Sequence, residues 1–360
     1  MTPRDVLTAA SPPRVCIVLL SGLGDVVHGL PVANAIRRAR PDARITWVVE
    51  PPSAPLLAPH PAIDRVVVFR KKDGVRGVAR LQRELGTESH DLTLNLNVYT
   101  KSVFPTMLSG APVRLGFDRG RAAEGVWLFS THRLTPGPRR HTQDLFLEFL
   151  DVLGVEAEPL EWRLAPTAGE RADASRFLER QGDGPFVALV PASANPKKDW
   201  LPARMAGVVD GLWESHGLRA LLVGGTGERE TNVADEIVAR AAHEPIRALG
   251  PGLRRLLWLL PLAKFVIAPD TGPVHVARAL GVPVVGLYGH TNPWRVGPYR
   301  AYEDLWIDRY NEPGTPPDAS LREPKLGRME AITVRDVMER AETALARYAG
   351  EARVDGRGSR

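Results

Sequence analysis

Apolar segments that alternate with helical segments constrain the fold of this 360-residue chain more than any other feature. Residues 15–20 contain no polar side chain, and a glycine turn and a helical segment follow them. Further candidate strands lie at residues 45–49, 66–69 and 91–96. A strand covered by helices on both faces needs no polar residues, so this alternation predicts a parallel, doubly wound α/β sheet.

A second alternation of the same kind begins after residue 185. Its predicted strands lie at residues 186–190, 219–223, 265–268 and 284–288, with helices between them. The length of the chain admits two domains of ordinary size. We therefore predict a first α/β domain over residues 1–165, a second over 166–335, and a helix with a disordered tail over 336–360.

Two segments of the first half are predicted to be irregular. Residues 1–13 contain three prolines and are expected to form a loose arm. Residues 100–165 mix helical, basic and turn residues, with a clear helix at 145–153 that Gly154 ends.

Composition and charge limit the class of protein. The formal net charge is +5, which fits an acidic substrate or an anionic membrane surface; no nucleic-acid partner is expected. The single cysteine, Cys16, excludes an intrachain disulfide and a cysteine metal cluster. Neither a signal peptide nor an apolar run of membrane-spanning length is visible. We expect a cytoplasmic protein.

The first glycine turn, Ser-Gly-Leu-Gly-Asp at residues 21–25, nearly matches the dinucleotide-binding fingerprint, but Val27 replaces its third glycine. Glu50 ends the next strand, where a ribose-binding acid would lie, so a nicotinamide-dependent oxidoreductase is one interpretation. Asp25 would repel a pyrophosphate at this turn, however, and a carboxylate there suits a general base. The alternative role of Asp25 is a helix cap.

Two turns of the second half suit a phosphate and a ribose. The loop at residues 191–200 offers the hydroxyl of Ser193 and the cation of Lys197 or Lys198, or it is a solvated basic loop. The glycine turn at residues 224–227 lacks the Gly-Lys-Ser/Thr ending of a Walker motif. Glu228, which follows it, could bond ribose hydroxyls or only provide a favourable charge in the first turn of a helix.

The fourth turn, Asp-Thr-Gly at residues 270–272, joins a buried strand to a helix. The free amides of a helix N-terminus form an anion site, and Thr271 and His275 lie four residues apart on one helix face. The alternative is an Asp N-cap before an ordinary helix. Together, the turns predict a nucleotide diphosphate in the second half. No Asp-x-Asp pair occurs in the sequence, so Lys198 and helix termini, without a metal, would carry the charge of the leaving group.

Five segments resemble the bacterial heptosyltransferases of glycosyltransferase family 9. They are Ser-Gly-Leu-Gly-Asp-Val-Val-His-Gly-Leu-Pro at 21–31, Lys-Asp-Trp-Leu-Pro at 198–202, Gly-Gly-Thr-Gly-Glu at 224–228, Asp-Thr-Gly-Pro-Val-His at 270–275 and the segment at 284–293. The resemblance implies a GT-B fold, in which two Rossmann-like domains face each other across a cleft. It also implies inverting, metal-independent transfer of heptose from ADP-heptose, without a cofactor, to an acidic glycolipid such as Kdo–lipid A or a core oligosaccharide.

The resemblance implies roles for individual residues. Asp25 would be the general base on the acceptor hydroxyl. The donor ADP-heptose would contact Ser193, Ala194, Lys198, Glu228, Pro251, Asp270, Thr271, Gly272 and His275. Residues 99–102 and 116–124 are most similar to heptosyltransferase I. The acceptor would contact Gly24, Arg70, Lys71, Lys72, Lys101 and Arg121. The alternative for each basic residue is that it belongs to a solvated charged surface. A glycolipid acceptor also implies a peripheral contact with the cytoplasmic face of the inner membrane.

Three alternatives stay open at this point. The acceptor could be another glycan or a protein. A nucleotide-sensing protein would bind the ADP-sugar without consuming it. The nicotinamide-dependent oxidoreductase would bind its dinucleotide at the first glycine turn.

Overall fold

The computed structural model describes residues 1–348, which form two compact units: unit 1, Met1–Arg163, and unit 2, which begins at Leu164. Each unit contains its own six-stranded sheet. Among the described residues, no helix combines the length and the apolar character needed to cross a membrane.

The sheet of unit 1 is entirely parallel. Its strands are β1 (Arg14–Val18), β2 (Arg44–Val49), β3 (Arg65–Val68), β4 (Leu92–Asn95), β5 (Val113–Gly116) and β6 (His132–Arg133). They pair in the order β3-β2-β1-β4-β5-β6. This is the doubly wound order of nucleotide-binding folds, in which the direction of winding changes between the first and fourth strands.

Six helices cover this sheet: α1 (Pro3–Thr8), α2 (Leu23–Ala39), α3 (Ala54–Leu57), α4 (Gly74–Leu85), α5 (Val103–Leu108) and α6 (Thr142–Leu153). Leu81 and Leu85 of α4 pack on Cys16 and Val18 of β1, which are fully buried. Helices α1 and α2 both pack against α6. The backbone of Gly154 adopts the left-handed conformation (φ +66°) that ends α6, as the sequence predicts.

The prediction of a loose N-terminal arm is wrong. Helix α1 is closed by a capping box in which the Thr2 hydroxyl accepts from the Asp5 amide and the Asp5 carboxylate accepts from the Thr2 amide. Its inward residues Val6 and Leu7 are buried. Two side chains in one helical turn are too few to give a visible periodicity, so the sequence pattern did not predict this helix.

Unit 2 repeats the same topology. Its strands are β7 (Phe186–Leu189), β8 (Arg219–Leu222), β9 (Ile246–Arg247), β10 (Ala263–Pro269), β11 (Val284–Tyr288) and β12 (Trp306–Asp308). They are parallel and ordered β12-β11-β10-β7-β8-β9. Relative to its own first strand this is again the doubly wound order, so the predicted pair of parallel α/β sheets is confirmed.

The helices of unit 2 are α7 (Ala168–Gln181), α8 (Pro202–His216), α9 (Glu228–Arg240), α10 (Leu256–Leu259), α11 (Gly272–Ala279), α12 (Pro293–Val296) and α13 (Val334–Tyr348). Helix α13 packs on α8 and on the edge of the sheet formed by β11 and β12. Its residues Val337, Ala341 and Ala344 belong to the hydrophobic core of unit 2. The terminal helix is therefore part of unit 2 and not a separate segment, while the predicted disordered tail lies outside the described residues.

Candidate functional site

In unit 2, two loops leave neighbouring strands at the point where the winding direction changes. The loop after β7 carries Ser193 and Lys198, and the loop after β10 carries Asp270 and Thr271. Because β7 and β10 are adjacent and parallel, both loops emerge at the same edge of the sheet. Ligands of doubly wound sheets bind in the crevice at this position.

Lys198 and Asp270 form an ion pair across this crevice, with 2.7 Å between Nζ and Oδ2. The Asp270 side chain is only 8% exposed, and its other oxygen lies 4.0 Å from Nε2 of buried His275. Lysine has three donor hydrogens, so Lys198 can hold Asp270 and a phosphate oxygen at the same time. The sequence predicted each of these residues but not their direct contact.

Asp270 does not cap α11, so its alternative role as an N-cap is excluded. The N-cap is Thr271, and its side chain makes no capping hydrogen bond. The half-buried Thr271 hydroxyl and the amides of the first helical turn therefore lie beside the Lys198–Asp270 pair. A helix N-terminus next to a lysine is a site for an anion such as a diphosphate.

Tyr288, at the end of β11, is fully buried next to this pair. Its burial, together with the nearby negative charge of Asp270, raises the pKa of the phenol well above the ordinary value. The hydroxyl is therefore neutral near pH 7, and Tyr288 adds no charge to the crevice there.

The loop after β7 is shaped by a residue that the sequence analysis did not select. Asp199 accepts a hydrogen bond of 2.7 Å from the Ser193 amide and forms an ion pair with Arg229 in the first turn of α9. The Ser193 hydroxyl donates to the Asn195 carbonyl at 2.7 Å. Trp200 follows and is buried, and its indole donates to the Ile332 carbonyl. The sequence signal for Asp199 was its position between Lys198, a predicted phosphate ligand, and Trp200.

The proposed ribose and adenine contacts lie on the loops after β8 and β9. Glu228 is exposed at the first position of α9, and Pro251 is exposed after β9. The Gly250 amide donates to the Gly224 carbonyl at 3.1 Å and so holds these two loops together. Glu230, also missed by the sequence analysis, fixes the glycine turn by accepting from the Gly225 amide at 3.1 Å.

The remaining predicted donor contacts are placed as follows. Ala194 is exposed on the loop after β7, next to Ser193, which is 4% exposed. Gly272 is the first residue of α11 and is half-buried. The structure thus brings Ser193, Lys198, Asp270, Thr271, Gly272 and His275 to the strand ends at one switch point, with Glu228 and Pro251 on the two loops further along the sheet.

In unit 1, Asp25 lies at the corresponding place after β1. It is the third residue of α2, whose N-cap is Gly22, with Gly24 before it in the first turn. Within the described chain, the half-buried carboxylate makes no hydrogen bond or ion pair. The alternative role as a helix cap is therefore excluded, and the acid is available to a substrate.

The backbone leading into this turn is held by Asn97, which the sequence analysis also missed. Its amide nitrogen donates to the Val18 carbonyl at 2.8 Å, and its oxygen accepts from the Leu20 amide at 3.0 Å. The side chain thus ties the end of β4 to the end of β1, at the switch point of the first sheet. The sequence signal for it was the pair Asn95 and Asn97 at the end of a predicted strand.

Most of the predicted acceptor-side cations are accessible. Arg70, Lys71 and Lys72 are exposed just after β3, and none of them has an ion pair with another residue among 1–348. The Nζ atom of Lys101 lies 3.9 Å from Oε1 of Glu50. Hydrogen bonds from Thr100, together with the nearby charge of Lys71, lower the pKa of Glu124. Lys71 therefore lies near the loop that carries Lys101.

Arg121 differs from the other predicted acceptor-side cations. It is 3% exposed, and its guanidinium donates to Asp118, Glu148 and the Thr135 carbonyl. A direct contact with an acceptor would require these bonds to break. The side chain holds the loop after β5 in place.

A family model described as "Glycosyltransferase family 9 (heptosyltransferase)" matches residues 78–314. The chain is 30% identical to the lipopolysaccharide core heptosyltransferase OpsX of Haemophilus influenzae over 85% of this chain and 87% of that protein. It is 28% identical to lipopolysaccharide heptosyltransferase 1 of Pseudomonas aeruginosa, over 79% and 81% of the two chains.

Solved structures agree with this relationship. A glycosyl transferase family 9 protein from Veillonella parvula superposes with a TM-score of 0.80 at 25% identity, over 93% of this chain and 97% of that one. The heptosyltransferase WaaC of Escherichia coli, solved with ADP, has the same fold, with a TM-score of 0.71 at 23% identity over 93% and 99% of the chains.

The strand order alone would fit a nicotinamide-dependent oxidoreductase as well, because such enzymes use the same doubly wound sheet. The sequence relationships extend over both units and decide between the two interpretations. The chain belongs to glycosyltransferase family 9, the heptosyltransferases, and is a glycosyltransferase.

Proposed function

We propose that this enzyme transfers heptose from ADP-heptose to the Kdo/inner-core region of lipopolysaccharide, in the manner of heptosyltransferase I, with inversion and without a metal ion. The observation that carries the proposal is the Lys198–Asp270 pair beside the N-terminus of α11, at the switch point of the second sheet. The names of the relatives support it: one is a lipopolysaccharide core heptosyltransferase and another a lipopolysaccharide heptosyltransferase 1.

In this proposal, unit 2 binds the donor. Lys198, the Thr271 hydroxyl and the first-turn amides of α11 hold the diphosphate, with Ser193 and Ala194 bordering it. Asp270 and His275 contact the heptose, Glu228 the ribose and Pro251 the adenine. When the bond between the sugar and the diphosphate breaks, negative charge develops on the leaving phosphate oxygen. A lysine and a helix N-terminus placed there stabilise that charge without reorganisation, which is the task a metal ion performs in other transferases.

Asp25 acts on the acceptor in unit 1. Its carboxylate takes the proton of the acceptor hydroxyl while that oxygen attacks the anomeric carbon, and ADP leaves from the opposite face. One displacement inverts the configuration of the anomeric carbon. An acid that is half-buried and bonded to no other described residue suits this role because its lone pairs are available for a proton.

The acceptor is expected to be acidic because the accessible cations of unit 1 would attract negatively charged groups. Arg70, Lys71, Lys72 and Lys101 would contact carboxylates and phosphates of the glycolipid, while buried Arg121 would position the loop after β5. A lipid-linked acceptor places the reaction at the cytoplasmic face of the inner membrane, with which the protein makes a peripheral contact.

The test is a turnover screen with purified protein. ADP-heptose is mixed with Kdo–lipid A, with truncated core oligosaccharides and with unrelated glycan or peptide acceptors, and the products are read by mass spectrometry. We expect one heptose to be added to the Kdo-containing acceptors, and the same rate in excess EDTA. Transfer only to an unrelated acceptor would refute the lipopolysaccharide assignment, and loss of activity that added metal restores would refute the metal-free mechanism. Binding of ADP-heptose without any turnover would favour a sensor.

A further inference from the structure

Unit 1 carries most of the excess positive charge of the chain. Residues 1–163 contain 21 Lys and Arg against 17 Asp and Glu, whereas the rest of the chain contains 26 against 25. Within unit 1 the excess lies in two segments. Residues 70–83 hold six basic residues and one acid, and residues 114–140 hold six basic residues and two acids.

Helix α4 presents part of this charge as a stripe. Arg76, Arg80 and Arg83 are exposed and lie at positions i, i+4 and i+7, which places them on one side of the helix. The opposite side, with Leu81 and Leu85, is buried against the sheet. The stripe follows directly from the exposed cations at residues 70–72, on the acceptor side of the unit.

Large apolar side chains are exposed on the elements next to this stripe. Phe104 and Met107, on one side of α5, are 55% and 44% exposed, and Leu128 on the 3-10 turn Val126–Phe129 is 63% exposed. Val75 at the start of α4 is 86% exposed. Helix α5 packs against both α4 and the 3-10 turn, so these residues lie on neighbouring elements of unit 1.

The 3-10 turn combines both kinds of group. Two arginines contact the Trp127 ring: the guanidinium carbons of Arg119 and Arg133 are 5.4 Å and 5.1 Å from the ring centroid. Leu128 and Phe129, which follow Trp127, are 63% and 36% exposed. Tryptophan, arginine and exposed aliphatic or aromatic residues together are typical of segments that lie in the headgroup region of a membrane.

We propose that this apolar–basic surface, formed by Val75, Phe104, Met107, Leu128 and Phe129 with Arg76, Arg80 and Arg83, docks unit 1 on an anionic lipid bilayer. The apolar side chains enter the headgroup region, and the arginines contact lipid phosphates. The charge of the surface selects an anionic membrane over a protein partner of ordinary charge. The functional meaning rests on the proposed function: an acceptor that keeps its acyl chains in the bilayer is reached by an enzyme held at the surface.

The experiment measures sedimentation of the full-length protein with vesicles that contain no acceptor. One set consists of phosphatidylglycerol and phosphatidylethanolamine in equal parts, and the other of phosphatidylcholine alone. We expect binding to the anionic vesicles that weakens as salt is added, because surface charges are screened, and little binding to the zwitterionic ones. Failure to bind anionic vesicles, or equal binding to both sets, would overturn the proposal.

Two variants locate the surface. Phe104→Ser/Leu128→Ser should lower the partition coefficient by about ten-fold or more. Arg76→Gln/Arg80→Gln/Arg83→Gln should lower it by about a hundred-fold if each arginine near the surface contributes roughly five-fold. Matched controls in unit 2 are Leu326→Ser, at a residue 68% exposed, and Arg335→Gln/Arg340→Gln/Arg347→Gln on α13. Binding of the unit 1 variants at the wild-type level would refute the assigned surface, as would concentration-dependent dimerisation that these variants abolish.

Turnover separates this inference from the proposed function. With an acceptor stripped of its acyl chains, the unit 1 variants should keep the kcat/KM of the wild type, and circular dichroism should show that they are folded. With the acceptor in vesicles, their rate should fall with their binding. If no variant or wild-type protein transfers heptose, the proposed function fails while vesicle binding still decides the docking surface.

Discussion

The carboxylate of Asp25 occupies the third position of a helix, where many acids only complement the helix dipole. Asp144 holds the same position in α6 of the same unit. If Asp25 is the base, Asp25→Asn should lower kcat by roughly a hundred- to ten-thousand-fold, because proton transfer in the transition state is lost. Binding of the ADP-sugar, measured by calorimetry, should stay within about two-fold of the wild type, since the proposed donor contacts lie in unit 2.

Asp144→Asn is the control for this prediction, because it removes an acid from the same position of another helix, outside the glycine turn. It should leave kcat unchanged. An Asp25→Asn variant with near-wild-type turnover would remove the base from the mechanism.

His90 gives unit 1 a specific sensitivity to acid. Burial lowers the pKa of His90, and its hydrogen bond to the Ser109 carbonyl opposes this effect only in part. In the unfolded chain the imidazole takes up a proton at about pH 6.5, while in the folded protein it does so only at lower pH. The unfolded state therefore binds more protons as pH falls below that value, and the free energy of unfolding decreases.

The matched variant is His90→Asn, whose amide can donate to the same carbonyl without titrating. The free energy of unfolding is measured with urea between pH 7 and pH 5. Its decrease per pH unit should be smaller in this variant than in the wild type, by up to about 1.4 kcal/mol. His216→Gln, at an exposed histidine, is the control. Equal slopes in the wild type and His90→Asn would show that His90 does not contribute.

At the level of single residues, the sequence identified groups that can meet a ligand better than groups that position them. Lys198 and Asp270 were selected because each follows a strand, which is a local property. Their direct contact joins residues 72 positions apart and depends on the pairing of β7 with β10. Asp199, Glu230 and Asn97 act on the backbone of loops, and a polar residue that bonds to a backbone amide has no distinctive pattern in one sequence.

Among the helices, α1 is short, but we expect it to contribute substantially to the free energy of unfolding. Leu7 is 3% exposed, and α1 packs on α6. Leu7→Ala should lower the free energy of unfolding by about 2–5 kcal/mol, because it leaves a cavity between these helices. Thr8→Ala, at the next and exposed position, should change it by less than about 0.5 kcal/mol. Urea unfolding of both variants tests this, and an equally small effect of both would mean that the helix docks weakly.

Of the strands that the sequence predicted, all except β3 lie inside a sheet, and three of the four that it missed, β6, β9 and β12, lie at the edges. Central strands such as β1 and β10 are buried on both faces and read as continuous apolar segments. Strands β6 and β9 have only two residues and β12 has three, which is too short for any periodicity. Strand β5 includes Arg114, whose guanidinium donates to neighbouring carbonyls, so its composition resembles that of a loop.

For the whole molecule, the proposal assigns the nucleotide to one unit alone. Hydrogen exchange with and without ADP tests this assignment. Amides of the loop after β7 and of the first turn of α11 should exchange about a hundred-fold more slowly when ADP is present at a hundred times its Kd, provided that they exchange through states that cannot bind it. Amides of residues 21–25 should be unaffected. Protection confined to residues 21–25 would place the nucleotide in unit 1 and contradict the proposed division.

Both sheets have the same strand order, and in each the groups proposed to contact substrate lie on loops and first helical turns outside the buried strands. Such loops can be exchanged while the core that supports them stays intact. Grafting the segments after β3, β4 and β5 from a relative should therefore redirect the enzyme to that relative's sugar acceptor without altering its preference for a nucleotide. Specificity for the acceptor and specificity for the nucleotide are encoded in separate units, so each can change in evolution without altering the other.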